Sequence, residues 1–236
     1  MSEQGRAARP YAARPYKGVP AAERRAQRRA ALMEAAWDLL GTAGWRSVTV
    51  RGVSAHAGLN DRYFYESFPD VTGLLVAVVD EQAARGMAAI QAAAREAPRH
   101  MPTRTRAAVS AVFDFLAEDP RRGHVMAWEF AASPALQDRK HKIIHAIAEI
   151  FVAEVHELLD ETGLPERDLR LTALTITAGL WETVASWLRG DVVTSRDHLI
   201  DYIVALLMAT TALPPALNDQ LSRGASGESA PALQGK

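Results

Sequence analysis

From Ala21 onward, apolar residues recur at intervals of three and four, the repeat of helices buried along one face, and no segment reads as a strand. A first helix is expected from about Ala21 to Thr42, with Leu32, Met33, Ala36, Trp37 and Leu40 on its inner side. Two short helices and a turn follow between Val48 and Phe68. Asp70, after Pro69, caps a long helix whose stripe is Val71, Leu74, Leu75, Val78, Val79, Met87 and Ile90. Pro98 and Pro102 break the chain, and Thr103 to Glu118 then carries Val109, Val112, Phe113 and Leu116. Pro120 starts a further helix with Val125, Met126, Trp128 and Phe130. Ser133 and Pro134 open a long one to about Leu159, and Pro165 begins another that runs to Arg189 and ends at Gly190. The last begins at Ser195 or Arg196 and stops near Thr211, before Pro214 and Pro215. The fold class is all-α, with no internal repeat.

The segment from Val48 to Leu75 is the most specific. Thr49 can cap the first short helix, whose inner face is Val50, Val53 and Ala57. Gly58 suits the left-handed backbone of a sharp turn. Leu59 points inward, Asn60 caps the second short helix, and Phe64 and Phe68 form its buried stripe. Ser54 is small where the two helices cross. Asp61, Arg62, Tyr63, Tyr65 and Glu66 are left on or near the outer face, where a helix-turn-helix presents its side chains to the DNA major groove.

The stretch from about Arg25 to Leu75 resembles the DNA-binding domain of the TetR family of bacterial transcription regulators. The resemblance is carried by Arg28-Arg29-Ala30-Ala31-Leu32-Met33-Glu34-Ala35-Ala36, by Gly44, by Thr49-Val50-Arg51, by Ala57-Gly58-Leu59-Asn60, by Phe64-Tyr65-Glu66-Ser67-Phe68 and by Leu74-Leu75. Two positions depart from the family pattern. Tyr63 stands where a small residue, often Thr, is usual, which implies a different choice of bases. Val71 stands where a Lys usually meets a phosphate. The DNA-binding residues this implies are Thr49, Arg51, Asn60, Asp61, Arg62, Tyr63 and Tyr65. Arg62 is the expected base reader, since a guanidinium can form two bonds with a guanine edge. Tyr65, Thr49 and Arg51 are placed for phosphates, while Asp61 and Glu66 suit cytosine amino groups or a pairing with Arg62.

At 236 residues the chain is long enough for a small N-terminal unit and a larger second one. The expected division is a flexible basic arm over 1–19, a helix-turn-helix DNA-binding domain over 20–69, a helical effector-binding and dimerisation domain over 70–213, and a disordered tail over 214–236. The net charge is −1, yet eight of the residues before Leu32 are basic (Arg6, Arg9, Arg14, Lys17, Arg24, Arg25, Arg28 and Arg29), against Glu3 and Glu23. This asymmetry suits a DNA-binding end joined to a different kind of module. There is no cysteine, which excludes disulfides and thiolate metal sites. No signal-peptide core is present and no apolar run reaches the ~18 residues of a membrane span, so a cytoplasmic protein that does not enter the membrane is expected.

In the second unit, Phe113, Met126, Trp128, Phe130, Ile147, Phe151, Trp181 and Trp187 are large apolar residues on helices around its centre, with Thr175, Thr177, His124 and Glu129 as polar neighbours. Bulky apolar walls with a few polar anchors suit a small-molecule pocket, although each residue taken singly also suits a core. The pocket as a whole is what the resemblance implies; its expected members are Phe113, Met126, Trp128, Phe130, Ile147, Phe151, Thr177 and Trp181. The last two helices are apolar around most of their circumference, so two sides need burial and a second copy of the chain is the simplest cover. The family pairs these helices as a four-helix bundle. The expected interface residues are Leu180, Val184, Leu199, Ile203 and Leu206. His141, His145 and Glu149 share a helix face, but their neighbours are polar and a solvated face is the reading; no metal or cofactor is expected.

The resemblance therefore implies a homodimeric transcriptional regulator, most readily a repressor. It would bind a palindromic operator on double-stranded DNA and be released by a small apolar or aromatic effector. An enzyme with an appended DNA-binding domain is the rival of another class, but no Gly-rich phosphate loop, zinc-hydrolase signature or nucleophile elbow occurs in the second unit. A ligand-independent DNA-binding or partner-binding protein is the third reading.

Overall fold

The computed structural model describes residues 20–159, 163–210 and 213–227, with side chains to 223. The expected arm lies outside them, as do residues 228–236 of the tail. Every regular element among the described residues is helical: α1 (Ala21–Ala43), a single 3-10 turn (Trp45–Ser47), α2 (Val50–His56), α3 (Asp61–Ser67), α4 (Val71–Glu96), α5 (Met101–Glu118) and α6 (Pro120–His124). A π-helical turn (Val125–Glu129) follows, and then α7 (Phe130–Ala132), α8 (Pro134–Leu158), α9 (Glu166–Arg189), α10 (Arg196–Thr210) and α11 (Leu213–Gly227).

The short helices are set by local chemistry. The side chains of Thr49, Asn60 and Asp70 accept hydrogen bonds from the backbone N–H groups of Gly52, Arg62 and Gly73 at 3.0, 2.9 and 2.7 Å, capping α2, α3 and α4 as their residue types predict. Gly58 has φ +65°, and a Cβ there would meet nothing within 4 Å; the backbone conformation alone demands glycine. Ser54 is fully buried where α2 meets α3. Arg29 fastens α3 to α1, donating to the Ser67 carbonyl at 3.1 Å with its guanidinium over the Phe68 ring.

One apolar core runs from Leu32, Trp37, Val53 and Phe64 through Leu74 and Val78 of α4 to Val125, Phe130 and Leu136. A second joins α5, α9 and α10 through Val109, Phe113, Val184, Leu199 and Ile203. A third joins α8 and α9 through Ala148, Val152, Leu169 and Ala173.

Proline placement differs from expectation at two points. Pro102 lies in the first turn of α5 and does not end the preceding break. The tail expected to be disordered from 214 is helical from Leu213 to Gly227, with Pro214 buried and Asn218 Nδ2 donating to the Gly163 carbonyl at 2.8 Å. First-turn N–H groups have no intrahelical acceptor, so proline there loses no bond and its φ is already helical.

Candidate DNA interface and effector cavity

The helix-turn-helix presents Thr49, Arg51, Asn60, Asp61, Arg62 and Tyr65 on an exposed surface. Arg62 extends from α3 with its side chain 83% exposed, its Nε 3.1 Å from Glu66 Oε1. Tyr63 is half-buried, because the Arg28 guanidinium sits 4.4 Å from its ring centroid. Arg28 also reaches Glu66 at 3.6 Å, so this carboxylate is held by two arginines.

Above this unit lies a cavity of about 300 Å³, enclosed by α4, α5, α8 and α9 with the π turn at one end. Phe113, Met126, Phe130, Ile147, Phe151, Thr177 and Trp181 line it, as the sequence suggests. Trp128 does not: it is 45% exposed and stacks on His124 at a centroid distance of 5.1 Å. The π turn is the reason. Its i→i+5 repeat inserts one extra residue, which buries Val125, Ala127 and Glu129 and turns Trp128 outward. Thr175 is exposed, away from the cavity. Met87 and Ile90 of α4, Val112 and Leu116 of α5 and Arg104 form walls that apolar clusters in α6 to α9 did not point to.

Two polar stitches join this region to α1 and the 3-10 turn after it. Asp119, the cap of α6, accepts from Trp37 Nε1 at 2.9 Å and from Arg121 Nε and Nη2, while Arg121 Nη1 reaches Glu34 at 2.8 Å. Burial pushes the Asp119 carboxyl up, but the hydrogen bonds from Arg121 and Trp37 outweigh it and hold the group at about 2. The helices meet closely enough that a Cβ on Gly41 would lie 2.4 Å from the Arg121 Cβ. The second stitch is Glu129, nine-tenths buried, whose Oε2 accepts from the Trp45 backbone N–H at 2.7 Å. Its Oε1 is 3.3 Å from His124 Nε2. Glu129 is therefore no pocket anchor. It caps the turn that leads into α2, and its neighbours Met126 and Phe130 line the cavity. Trp37 itself belongs to α1 and also lines the cavity.

The expected interface residues divide. Val184, Leu199 and Ile203 are buried within the protomer in the core shared with α5, and Leu180 lines the cavity. Periodicity shows that a helix has two apolar faces but does not label which one turns inward. The outward residues are Leu171, Thr175, Ala178 and Gly179 on α9, and Tyr202, Ala205, Leu206 and Ala209 on α10. His141 and His145 are exposed, and Glu149 is engaged by Arg170 at 2.6 Å.

Residues 32–78 match the sequence pattern of the bacterial regulatory proteins of the tetR family. The chain carries the DNA-binding unit of the TetR family. It is a DNA-binding transcriptional regulator, and the match covers the helix-turn-helix and the start of α4. The fold likeness extends further. The fatty acid degradation regulator FadR from Bacillus halodurans superposes with a TM-score of 0.62 at 20% identity, over 76% of this chain and 94% of that one. A TetR-family regulator from Rhodococcus sp. gives 0.61 at 23% identity, over 78% and 98%. FadR from Bacillus subtilis, in complex with stearoyl-CoA, gives 0.59 at 18% identity, over 75% and 96%. No curated protein matches the sequence. Among the described residues no single helix is long and apolar enough to cross a membrane.

Proposed function

We propose that the protein is a homodimeric repressor that leaves a palindromic operator when an apolar small molecule fills the cavity. Residues 20–69 act as the DNA-binding unit and 70–213 as the effector and dimerisation unit. The observation that carries the reading is that Trp37 of α1 is at once a wall of the cavity and a donor to Asp119. An occupant thus touches the DNA-binding unit directly. Met126 shares the π turn with Glu129 and Phe130 follows it, so displacement of the turn also acts on Trp45 and, through it, on α2. That stearoyl-CoA is bound by the Bacillus subtilis protein supports an apolar effector in this fold.

Two protomers would set two copies of α3 in successive major grooves, about 34–36 Å apart. The outward residues Leu171, Tyr202 and Leu206 supply the apolar face for pairing. Arg62 reads bases, Tyr65, Thr49 and Arg51 meet phosphates, and Asn60, Asp61 and Tyr63 complete the contact face. The effector must favour the DNA-incompatible state, since equal affinity for both states shifts nothing. Selection of bound sequences from a random duplex pool tests the reading. Inverted half-sites spaced by about one helical turn support it, whereas an unsymmetrical site or no enrichment contradicts it.

A further inference from the structure

The cavity has a shape and a polarity that its volume alone does not convey. Its wall on α4 runs from Val79 to Ala94, on α5 from Met101 to Leu116, and on α8 from Ile143 to Leu158. Each is fifteen residue steps, or about 22 Å of helix. The cavity follows three helices over that length and is an elongated bore, not a round chamber. One end is closed by Trp37, Val125 and Phe130, next to the DNA-binding unit; the other lies at Met101, Arg104, Glu154 and Leu158.

Arg104 is the cation built into that far end, with the Glu154 carboxylate beside it. Arg104 is more than nine-tenths buried. Its Nη1 is 2.7 Å from Glu157 Oε1 and 3.4 Å from Glu154 Oε2. Its Nε is buried without a hydrogen-bond partner. A buried guanidinium N–H left unpaired is costly, so an acceptor that completes it is favoured. Arginine edges suit carboxylate and carbonyl oxygens in particular. Between this end and Trp37 the walls along the bore are dominated by hydrocarbon: Met87, Ile90, Val112, Leu116, Ile147 and Phe151.

We propose that the effector is a single long unbranched hydrocarbon chain ending in a carboxylate or acyl carbonyl, with the oxygen at Arg104 and the tail at Trp37. This rests on the effector-controlled reading above and gives it a ligand class. Chain length becomes the signal: a short acyl chain anchors at Arg104 but ends before Trp37 and leaves both stitches in place. A long one reaches the α1 ring and the π turn.

The test titrates the full-length protein with palmitate, palmitoyl-CoA, hexadecanol, octanoate and a compact polycyclic aromatic, reading affinity by calorimetry and operator binding by anisotropy. Palmitate, palmitoyl-CoA or both should bind and weaken operator binding; which of them does so tells whether the head is a free acid or a thioester. Octanoate should bind at least about a hundredfold more weakly, because each methylene adds buried apolar area, and should not release DNA. Hexadecanol should bind more weakly than the acyl ligand, and Arg104→Gln should narrow that gap. Ala83→Phe, which narrows the bore near its Trp37 end, should weaken the long acyl ligand and spare octanoate; it keeps the test open should Arg104→Gln fail to fold. Equal affinity for the compact aromatic and palmitate, or no effect of Ala83→Phe, would overturn the proposal. Failure of all acyl ligands, while another cavity ligand releases DNA, would overturn the ligand class and leave the regulatory reading intact. Tight acyl binding with unchanged operator affinity would do the reverse.

Discussion

Among the described residues the Arg62 side chain projects from α3 with Glu66 as its partner, and an exposed pair of this kind adds little to folding stability. Its guanidinium is therefore available to exchange Glu66 for a guanine edge. Arg62→Ala should cost about 1–3 kcal/mol on the selected operator and much less on random duplex. Competition binding on both DNAs checks this, and equal losses would assign Arg62 to phosphate. Asp119 gives a second prediction. Its carboxyl is held at about 2 against an ordinary 3.8, so its contribution is fully present above about pH 4 and is lost as pH falls through about 2. The shift corresponds to about 2 kcal/mol. Asp119→Asn should flatten the stability profile over that acid window, as followed by urea melts at stepped pH. An unchanged profile would show that Trp37 and Arg121 do not hold the carboxylate in solution.

The capped helices were legible because one side chain decides each of them: Thr49, Asn60 and Asp70 cap, and Gly58 turns. The cavity was partly legible, since bulky residues on α5 to α9 converge. Trp128 escaped because nothing in the spacing of Val125 to Phe130 announces a π turn, and one inserted residue is enough to turn a ring from wall to surface. The Glu129 contact escaped because a lone acid among apolar residues names no partner 84 positions away. The π turn is expected to work as a lever on Trp45. Glu129→Ala leaves the Trp45 N–H without its acceptor and should cost about 1–3 kcal/mol in thermal melts. The same variant should show less change in operator affinity on saturation with effector. Full coupling in the variant would place the route elsewhere, through Asp119 and Trp37.

At the scale of the molecule, burial in the protomer separates two kinds of residue in α10. Ile203 belongs to the α5–α9–α10 core, while Leu206 is 39% exposed and Tyr202 55%. Leu206→Asp should yield a folded monomer in sedimentation with a near-normal circular dichroism spectrum. Ile203→Asp should unfold the chain, because it buries an unpaired charge. A dimeric Leu206→Asp protein would move the interface off α10. Filling the cavity is expected to release DNA through contacts the occupant makes with α1 and the π turn. The most direct measurement is the dissociation constant for the selected operator without effector and at cavity saturation, with occupancy followed in the same samples by tryptophan fluorescence. Operator affinity should fall on the order of 5–150-fold, in step with occupancy. An operator affinity that stays constant while the cavity fills would contradict it.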